Sequence, residues 1–349
     1  MYIQISTVHK KCLLVINQIN LALHQTLKNI KHKQMKKILI KNTDLEVAPL
    51  NLGGNVFGWT LDEKKSFEIL DAFADKGFNF IDTADMYSYW VDGGSGGQSE
   101  SIIGNWIKSR GNRDKVVIAT KVGGETGVNP VDSSKAHILK TVDESLKRLQ
   151  TDYIDLYYTH YDDNKTPVEE TLEAYDQLIK AGKIRHIAVS NITPERLIES
   201  FEVAEKNNLP KYVALQPHYN LVEREGFETN YAHLVKKYDL SVFTYWSLAS
   251  GFLTGKYRSE ADFGKSPRGG GAAKYMNEKG FAVLEALDKI SAKHNTKQAS
   301  VALAWLLANP LITAPIVSAT STAQLQALFE APELKLDQED LNLLNTASK

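Results

Sequence analysis

Asn79-Phe80-Ile81-Asp82-Thr83-Ala84-Asp85-Met86-Tyr87 reads as an apolar, buried strand that stops at an acid, with a phenol in the loop that follows. An acid at the end of a buried strand is costly unless a cation is paired with it. The next strand-like run, Lys115-Val116-Val117-Ile118-Ala119-Thr120, ends in Lys121. The one after it, Tyr153-Ile154-Asp155-Leu156-Tyr157-Tyr158-Thr159, ends in His160. Successive strands therefore finish in Asp, Lys and His. In a parallel α/β sheet the C-terminal strand ends and their loops share one rim, and sites are built there.

Outward from this stretch the pattern alternates strand and helix. A short hairpin (38–40 and 45–47) comes first, then a strand at 50–54 entering a tight turn. Thr60-Leu61-Asp62-Glu63 has the form of a capping box, and Phe67, Leu70, Phe73 and Ala74 follow at helical spacing as far as Gly77. Further strands are predicted at 116–120, 153–159, 184–190, 212–216, 240–245 and 312–317. Helices between them begin at Ser99-Glu100, Ser133-Ser134, Thr166-Pro167 and Thr193-Pro194, with another at 231–238. After a Gly-rich loop (251–271) come helices at 278–294, 297–309 and 322–331, and a final helix at 338–347. Eight strand–helix units predict a closed (β/α)8 TIM barrel with an N-terminal β-hairpin and extra C-terminal helices. An open doubly wound sheet would need about six strands and usually a Gly-rich first turn.

The chain has 349 residues, 43% of them apolar, with a net charge of −1. That balance gives no electrostatic footprint for nucleic acid or an anionic membrane. Cys12 is the single cysteine, which excludes an internal disulfide framework and points to a reducing, cytoplasmic setting. No apolar run approaches the roughly 20 residues of a membrane span. No acid precedes Asp44, and Lys10-Lys11 before Cys12-Leu13-Leu14-Val15-Ile16 begins like a signal peptide. Asn17, Gln18 and Asn20 break that run early, and the segment lacks the Arg of a transit peptide. Residues 1–34 are expected to be a loosely attached extension, with Met35 opening a single domain at 35–349.

Two motifs mislead. Gly93-Gly94-Ser95-Gly96-Gly97 matches a nucleophile elbow, but no strand immediately precedes the serine, so it reads as loop. His160, Asp162 and Asp163 lie close together but lack the spacing of a metal-binding helix, so no metal is expected. No G-x-G-x-x-G follows any strand, which argues against a Rossmann site.

The set Asp82, Tyr87, Lys121 and His160 sits within segments that resemble the aldo-keto reductase family. They are Asp82-Thr83-Ala84-x-x-Tyr87, Ala119-Thr120-Lys121, His160, Ser190-Asn191, Gln216-Pro217, Gly251-Phe252-Leu253-Thr254-Gly255-Lys256-Tyr257 and Pro315-Ile316-Val317-Ser318-Ala319-Thr320. The likeness spans residues 36–347 and is closest to the branch of bacterial reductases and potassium-channel β subunits. It implies a nicotinamide cofactor, usually NADPH, and a small-molecule carbonyl substrate. Tyr87 would be the general acid, Lys121 would lower its pKa, Asp82 would hold Lys121, and His160 would position the carbonyl oxygen.

The resemblance also places Ser190, Asn191 and Gln216 on the cofactor carboxamide, with Tyr245 stacked on the nicotinamide. Trp246, Leu248, Ser250, Lys256 and Arg268 would follow the pyrophosphate. Gly54, Asn55 and Asp82 complete the cofactor set, with Ser318, Thr320 and Gln324 toward the adenosine end. Two departures stand out: Tyr245-Trp246-Ser247-Leu248 replaces the family's Tyr-Ser-Pro-Leu, and Ser318, Thr320, Gln324 and Leu328 stand where relatives place cations or Asn. Hydroxyls and amides bind phosphate without charge assistance, yet NADPH is expected over NADH. Trp90, with Tyr87 and His160, would contact substrate, in a rim that includes Trp59, Tyr89, His218, Tyr219 and Arg224. The competing expectation is a nucleotide-binding redox sensor that regulates a partner with little turnover. Oligomeric state is not readable from the sequence.

Overall fold

A computed structural model describes residues 35–126 and 129–349, so the expectation for residues 1–34 lies outside the described residues. An antiparallel hairpin, β1 (Ile38–Leu39) and β2 (Glu46–Val47), precedes eight parallel strands. These are β3 (Asn51–Gly53), β4 (Phe80–Asp82), β5 (Val117–Val122), β6 (Ile154–Thr159), β7 (Ile184–Ser190), β8 (Ala214–Gln216), β9 (Ser241–Val242) and β10 (Ile316–Val317). Each pairs with the next in sequence from β3 to β9, and β10 pairs with β3. The remaining seam carries backbone bonds from Thr313 N–H to the Val242 carbonyl (2.9 Å) and from Ile316 N–H to the Thr244 carbonyl (2.9 Å). The sheet therefore closes, and the fold is a (β/α)8 barrel.

The two-residue period of the strands decides what the barrel encloses. Phe80, Val117, Ala119, Leu156, Tyr158, Ala188, Ala214 and Phe243 form one buried cluster with Ile40, Leu45 and Val47 of the hairpin region. Phe80 and Phe243 meet edge to face at 4.9 Å. Truncating such a core phenylalanine to alanine costs about 3–5 kcal/mol. Asp82 lies two residues beyond Phe80, Lys121 two beyond Ala119 and His160 two beyond Tyr158, so each continues the inward face toward the C-terminal rim. The intervening residues face the helices: Thr83 bonds Ser99, Thr120 bonds Glu100 and Thr159 bonds Tyr175.

The helices are α1 (Glu63–Asp75), α2 (Gln98–Arg110), α3 (Lys135–Leu149), α4 (Val168–Lys180), α5 (Pro194–Asn207), α6 (Glu225–Asn230), α7 (Ala232–Lys237), α8 (Glu278–Lys293), α9 (Gln298–Ala308), α10 (Thr322–Glu330) and α11 (Gln338–Ala347). Thr193 caps α5 with Pro194 in its first turn, as the sequence predicts. At α1 the cap is Asp62, whose carboxylate accepts from Lys65 N–H, rather than Thr60. The expected helix at 231–238 is α7, and a further short helix, α6, precedes it and meets it at Tyr231. The Gly-rich loop carries three 3-10 turns, at Ala249–Thr254, Glu260–Lys265 and Gly269–Tyr275. Lys37–Lys349 form one compact unit. Among the described residues no helix is long and apolar enough to cross a membrane.

Candidate active site

Lys121 is fully buried at the upper end of β5, and its ammonium donates to three acceptors. They are the Asp82 carboxylate, the Thr83 carbonyl at 2.8 Å and the Tyr87 hydroxyl at 3.0 Å. All three of its protons are thus engaged. The other Asp82 oxygen accepts from the Gln216 amide at 2.9 Å. Burial pushes the Lys121 pKa down, but Asp82 and Tyr87 outweigh it and hold the ammonium above its ordinary value. Burial likewise raises Asp82, against the pull of Lys121 and Gln216.

At the Tyr87 phenol the expected pull of Lys121 is present but outweighed. Burial raises its pKa, Lys121 opposes the rise, and the Asp82 charge adds to it, so the net direction is upward. Lys121 does favour the phenolate, but desolvation in the rim dominates.

The His160 ring lies 6.0 Å from the Tyr87 ring. Burial, and then the Lys121 charge, push its pKa well below the ordinary imidazole value, so the ring is neutral near pH 7. His160 Nδ1 is buried without a partner. A buried N–H with no acceptor costs more than an unused lone pair, which assigns the proton to Nε2.

The residues expected around the nicotinamide form one bonded group. The Ser190 hydroxyl donates to the Gln216 carbonyl at 2.8 Å, and the Asn191 amide donates to the His160 carbonyl at 2.8 Å. The Tyr245 hydroxyl donates to Asn191 Oδ1 at 3.1 Å. Asn191 sits at φ 43°, a left-handed position that Asn tolerates. One face of Tyr245 is stacked on His218, with 5.2 Å between centroids. Trp246 is half exposed at φ 52°, so the departure from Tyr-Ser-Pro-Leu coincides with a left-handed turn. Lys274 lies 5.1 Å over its ring.

A second group assembles around Arg268, which donates to Asn55 Oδ1 at 3.2 Å and lies 5.5 Å over the Trp59 ring. Ser318 links Asn55 Oδ1 (2.9 Å) and the Gly53 carbonyl (2.8 Å). Among the described residues no carboxylate pairs with Arg268, and burial lowers its pKa. A cation kept partly out of water without an anion is suited to an anionic ligand. Lys256 lies beside Gly251, next to Ser250. The Leu248 carbonyl closes the turn at Gly251. Thr320 and Gln324 bond each other, at 2.8 Å from the Thr320 N–H. The Gly54 carbonyl is taken by the Ser99 hydroxyl at 2.8 Å.

Around the mouth, Trp90 is 40% exposed and meets Trp59 (5.8 Å), Tyr87 (6.2 Å) and Tyr89 (5.4 Å) edge on. Two rim candidates turn out to be structural. Arg224 pairs with Glu228, and the Tyr219 hydroxyl donates to the same carboxylate. Asp162 pairs with Arg196, and Asp163 accepts from Thr166 and Ser133, which accounts for the acidic loop after His160. Among the described residues no group of three or more His, Cys, Asp or Glu could hold a metal ion. The bond of Gln216 to Asp82 and the stacking of His218 on Tyr245 are not expected from the sequence. Their signal in the sequence is a polar residue at Gln216 and at His218, at and just beyond the end of β8.

The chain matches the Aldo/keto reductase family over residues 49–349. It is 37% identical over 320 residues to the oxidoreductase YrpG of Bacillus subtilis (strain 168), covering 89% of this chain and 95% of that one. Aldo-keto reductase YhdN of the same organism is 35% identical, covering 89% and 93%. A probable voltage-gated potassium channel subunit beta of Arabidopsis thaliana is 32% identical, covering 83% and 89%. With the barrel, the match and these relatives in agreement, the chain belongs to the aldo/keto reductase family.

Proposed function

We propose that the protein reduces an aldehyde or ketone to the alcohol, with NADPH as hydride donor and Tyr87 as general acid. The observation that carries this is Lys121 bonded to both Asp82 and the Tyr87 hydroxyl, with the neutral His160 ring beside that phenol. When bound, the nicotinamide cofactor would supply a hydride to the carbonyl carbon. His160 Nε2–H donates to the carbonyl oxygen and fixes its direction. Tyr87 gives its proton to that oxygen as negative charge develops there. An alkoxide is far more basic than a phenolate, so a phenol with a raised pKa still transfers its proton and is fully protonated near pH 7. Lys121 donates to the phenolate that remains, and Asp82 keeps Lys121 charged and aimed.

Ser190, Asn191 and Gln216 offer donors and acceptors for a carboxamide, and Tyr245 a face for a ring. Arg268 and Lys256 would supply the cations for a pyrophosphate, flanked by Asn55, Ser250 and the Trp246–Leu248 turn. Ser318, Thr320 and Gln324 would face the adenosine phosphate. The test is loss of NADPH absorbance against a panel of aldehydes and ketones, with NADH in parallel. Tyr87→Phe should keep NADPH binding and lose turnover by about 10²–10⁴-fold. Near-normal turnover of that variant would overturn the assignment. Tight NADPH binding with negligible turnover across the panel would favour a nucleotide-binding regulatory subunit instead.

A further inference from the structure

Between Asp82 and Tyr87 lies an acid that the proposed chemistry does not use. Asp85 is anchored by its backbone: its N–H donates to the Lys121 carbonyl at 3.2 Å. Its carboxyl oxygen Oδ1 is buried and has no hydrogen-bond partner. The space over its own carbonyl is closed by Gly96, where an added Cβ would stand 2.9 Å away.

The charged and titratable groups facing it are Glu100 on α2, Arg148 on α3, Lys121 on β5, Tyr157 on β6 and, beyond, Tyr175 on α4. The two cations make their bonds elsewhere. Lys121 spends its protons on Asp82, Thr83 and Tyr87. Arg148 donates to Glu100 at 2.6 Å and to Ser145 at 3.3 Å. Glu100 is fully buried and already satisfied, since Thr120 donates to its other oxygen at 2.5 Å. The Tyr157 hydroxyl, also buried, has no partner. A second carboxylate here would stand beside the Glu100 charge with no bonded counter-ion, and such a group takes up a proton.

We propose that Asp85 is a positioning residue that works as a neutral acid: protonated, it keeps the Tyr87-bearing turn seated on β5, and its ionisation unseats that turn. The proposal rests on Tyr87 being the proton donor, but its stability arm below does not. Burial first, and then the Glu100 charge, push the Asp85 carboxyl up to about 8, against Arg148, the Met86 backbone N–H and Lys121. The folded pKa is raised, so the native state binds more protons than the unfolded chain. Stability is therefore fully present below about pH 4 and is lost as pH rises toward about 8.

The experiment compares the full-length wild-type protein with Asp85→Asn, an isostere of the neutral acid. Wild-type kcat for carbonyl reduction should fall about tenfold per pH unit above about pH 8. The normalised profile of Asp85→Asn should stay flat until Tyr87 itself titrates. Independently of turnover, the Tm of the variant should gain on wild type steadily between about pH 5 and 8. Coincident alkaline limbs, or a Tm difference that does not change with pH, overturn the proposal. Should Asp85→Asn fail to fold, infrared spectra of the wild type decide. A protonated-carboxyl band present at pH 7 and lost by pH 9.5 supports the proposal, and its absence at pH 7 overturns it.

Discussion

Lys121→Met removes a charge from the middle of the barrel while keeping a long apolar side chain. Asp82, Thr83 and Tyr87 lose their shared donor, and the Gln216 amide remains as the Asp82 partner. A buried carboxylate stripped of its cation costs about 3–5 kcal/mol. Protonation sets a ceiling on that loss. For an acid with an unfolded pKa near 3.9, protonation at pH 7 costs about 4 kcal/mol, at 1.36 kcal/mol per unit. The expected destabilisation is therefore about 3–4 kcal/mol at pH 7. The folded pKa of Asp82 in the variant lies above its unfolded value, so this penalty shrinks as pH falls, by about 1.4 kcal/mol per unit. Urea unfolding at pH 7 and pH 5 measures it, and the double variant Asp82→Asn/Lys121→Met should recover most of the loss. Equal destabilisation at both pH values, or a double variant no better than the single one, would refute the reasoning, because neither fits an orphaned carboxylate.

Three further outcomes follow from the same geometry. Arg268→Met should weaken NADPH binding about 10–100-fold by isothermal titration, the worth of one charge-assisted bond, with kcat largely spared; unchanged affinity would remove Arg268 from the cofactor site. Because burial holds His160 neutral, kcat/KM should show no acid limb between pH 8 and 6; a limb there that vanishes in His160→Gln would show a charged imidazole instead. Gly97→Ala should lower stability by about 1–3 kcal/mol in a thermal scan, since Gly97 sits at φ 81° and its added Cβ would stand 2.5 Å from the Arg148 side chain. An unchanged Tm would mean that Arg148 can leave Glu100 without cost.

What the sequence discloses, and what it hides, divides along the two faces of each strand. The inward face is legible because its pattern is local. Phe80 then Asp82, and Ala119 then Lys121, show an apolar layer giving way to charge two residues later, and neighbouring strands repeat the change at the same height. Element ends marked by a cap or a proline, such as Thr193-Pro194, are legible for the same reason. The outward face is not. Glu100 reads as an acid in a helix's first turn, where the macrodipole alone would explain it. In the structure it is buried between Arg148 and Thr120, each contributed by a different element. No spacing rule brings residues 100, 120 and 148 together; only the packing of α2 and α3 on β5 does. The helix cap at Asp62 is hidden differently: Thr60 and Asp62 both precede the helical run, and tertiary context chooses between them. At Tyr87 the charge partner Lys121 is visible in sequence, and the desolvation that outweighs it is not.

On the proposed function, the arrangement would also separate the groups that orient a cofactor from those that hold it. Gln216 is bonded to Asp82, Asn191 to Tyr245 and to the His160 carbonyl, and Ser190 to the Gln216 carbonyl. A carboxamide that engages these groups exchanges hydrogen bonds rather than adding them, and such exchanges contribute little net free energy. Their value is directional: a misplaced ring would leave a buried donor or acceptor unmet. Arg268 is in the opposite position. It is already partly desolvated, and its contacts are an amide oxygen and an aromatic face. An anion beside it relieves a standing cost and gains a charge-assisted bond about twice as strong as a neutral one. On the proposed function, affinity would therefore come from the phosphate end, at the loop carrying Arg268. Orientation would come from the strand ends of β7 and β8, which are different elements of the chain.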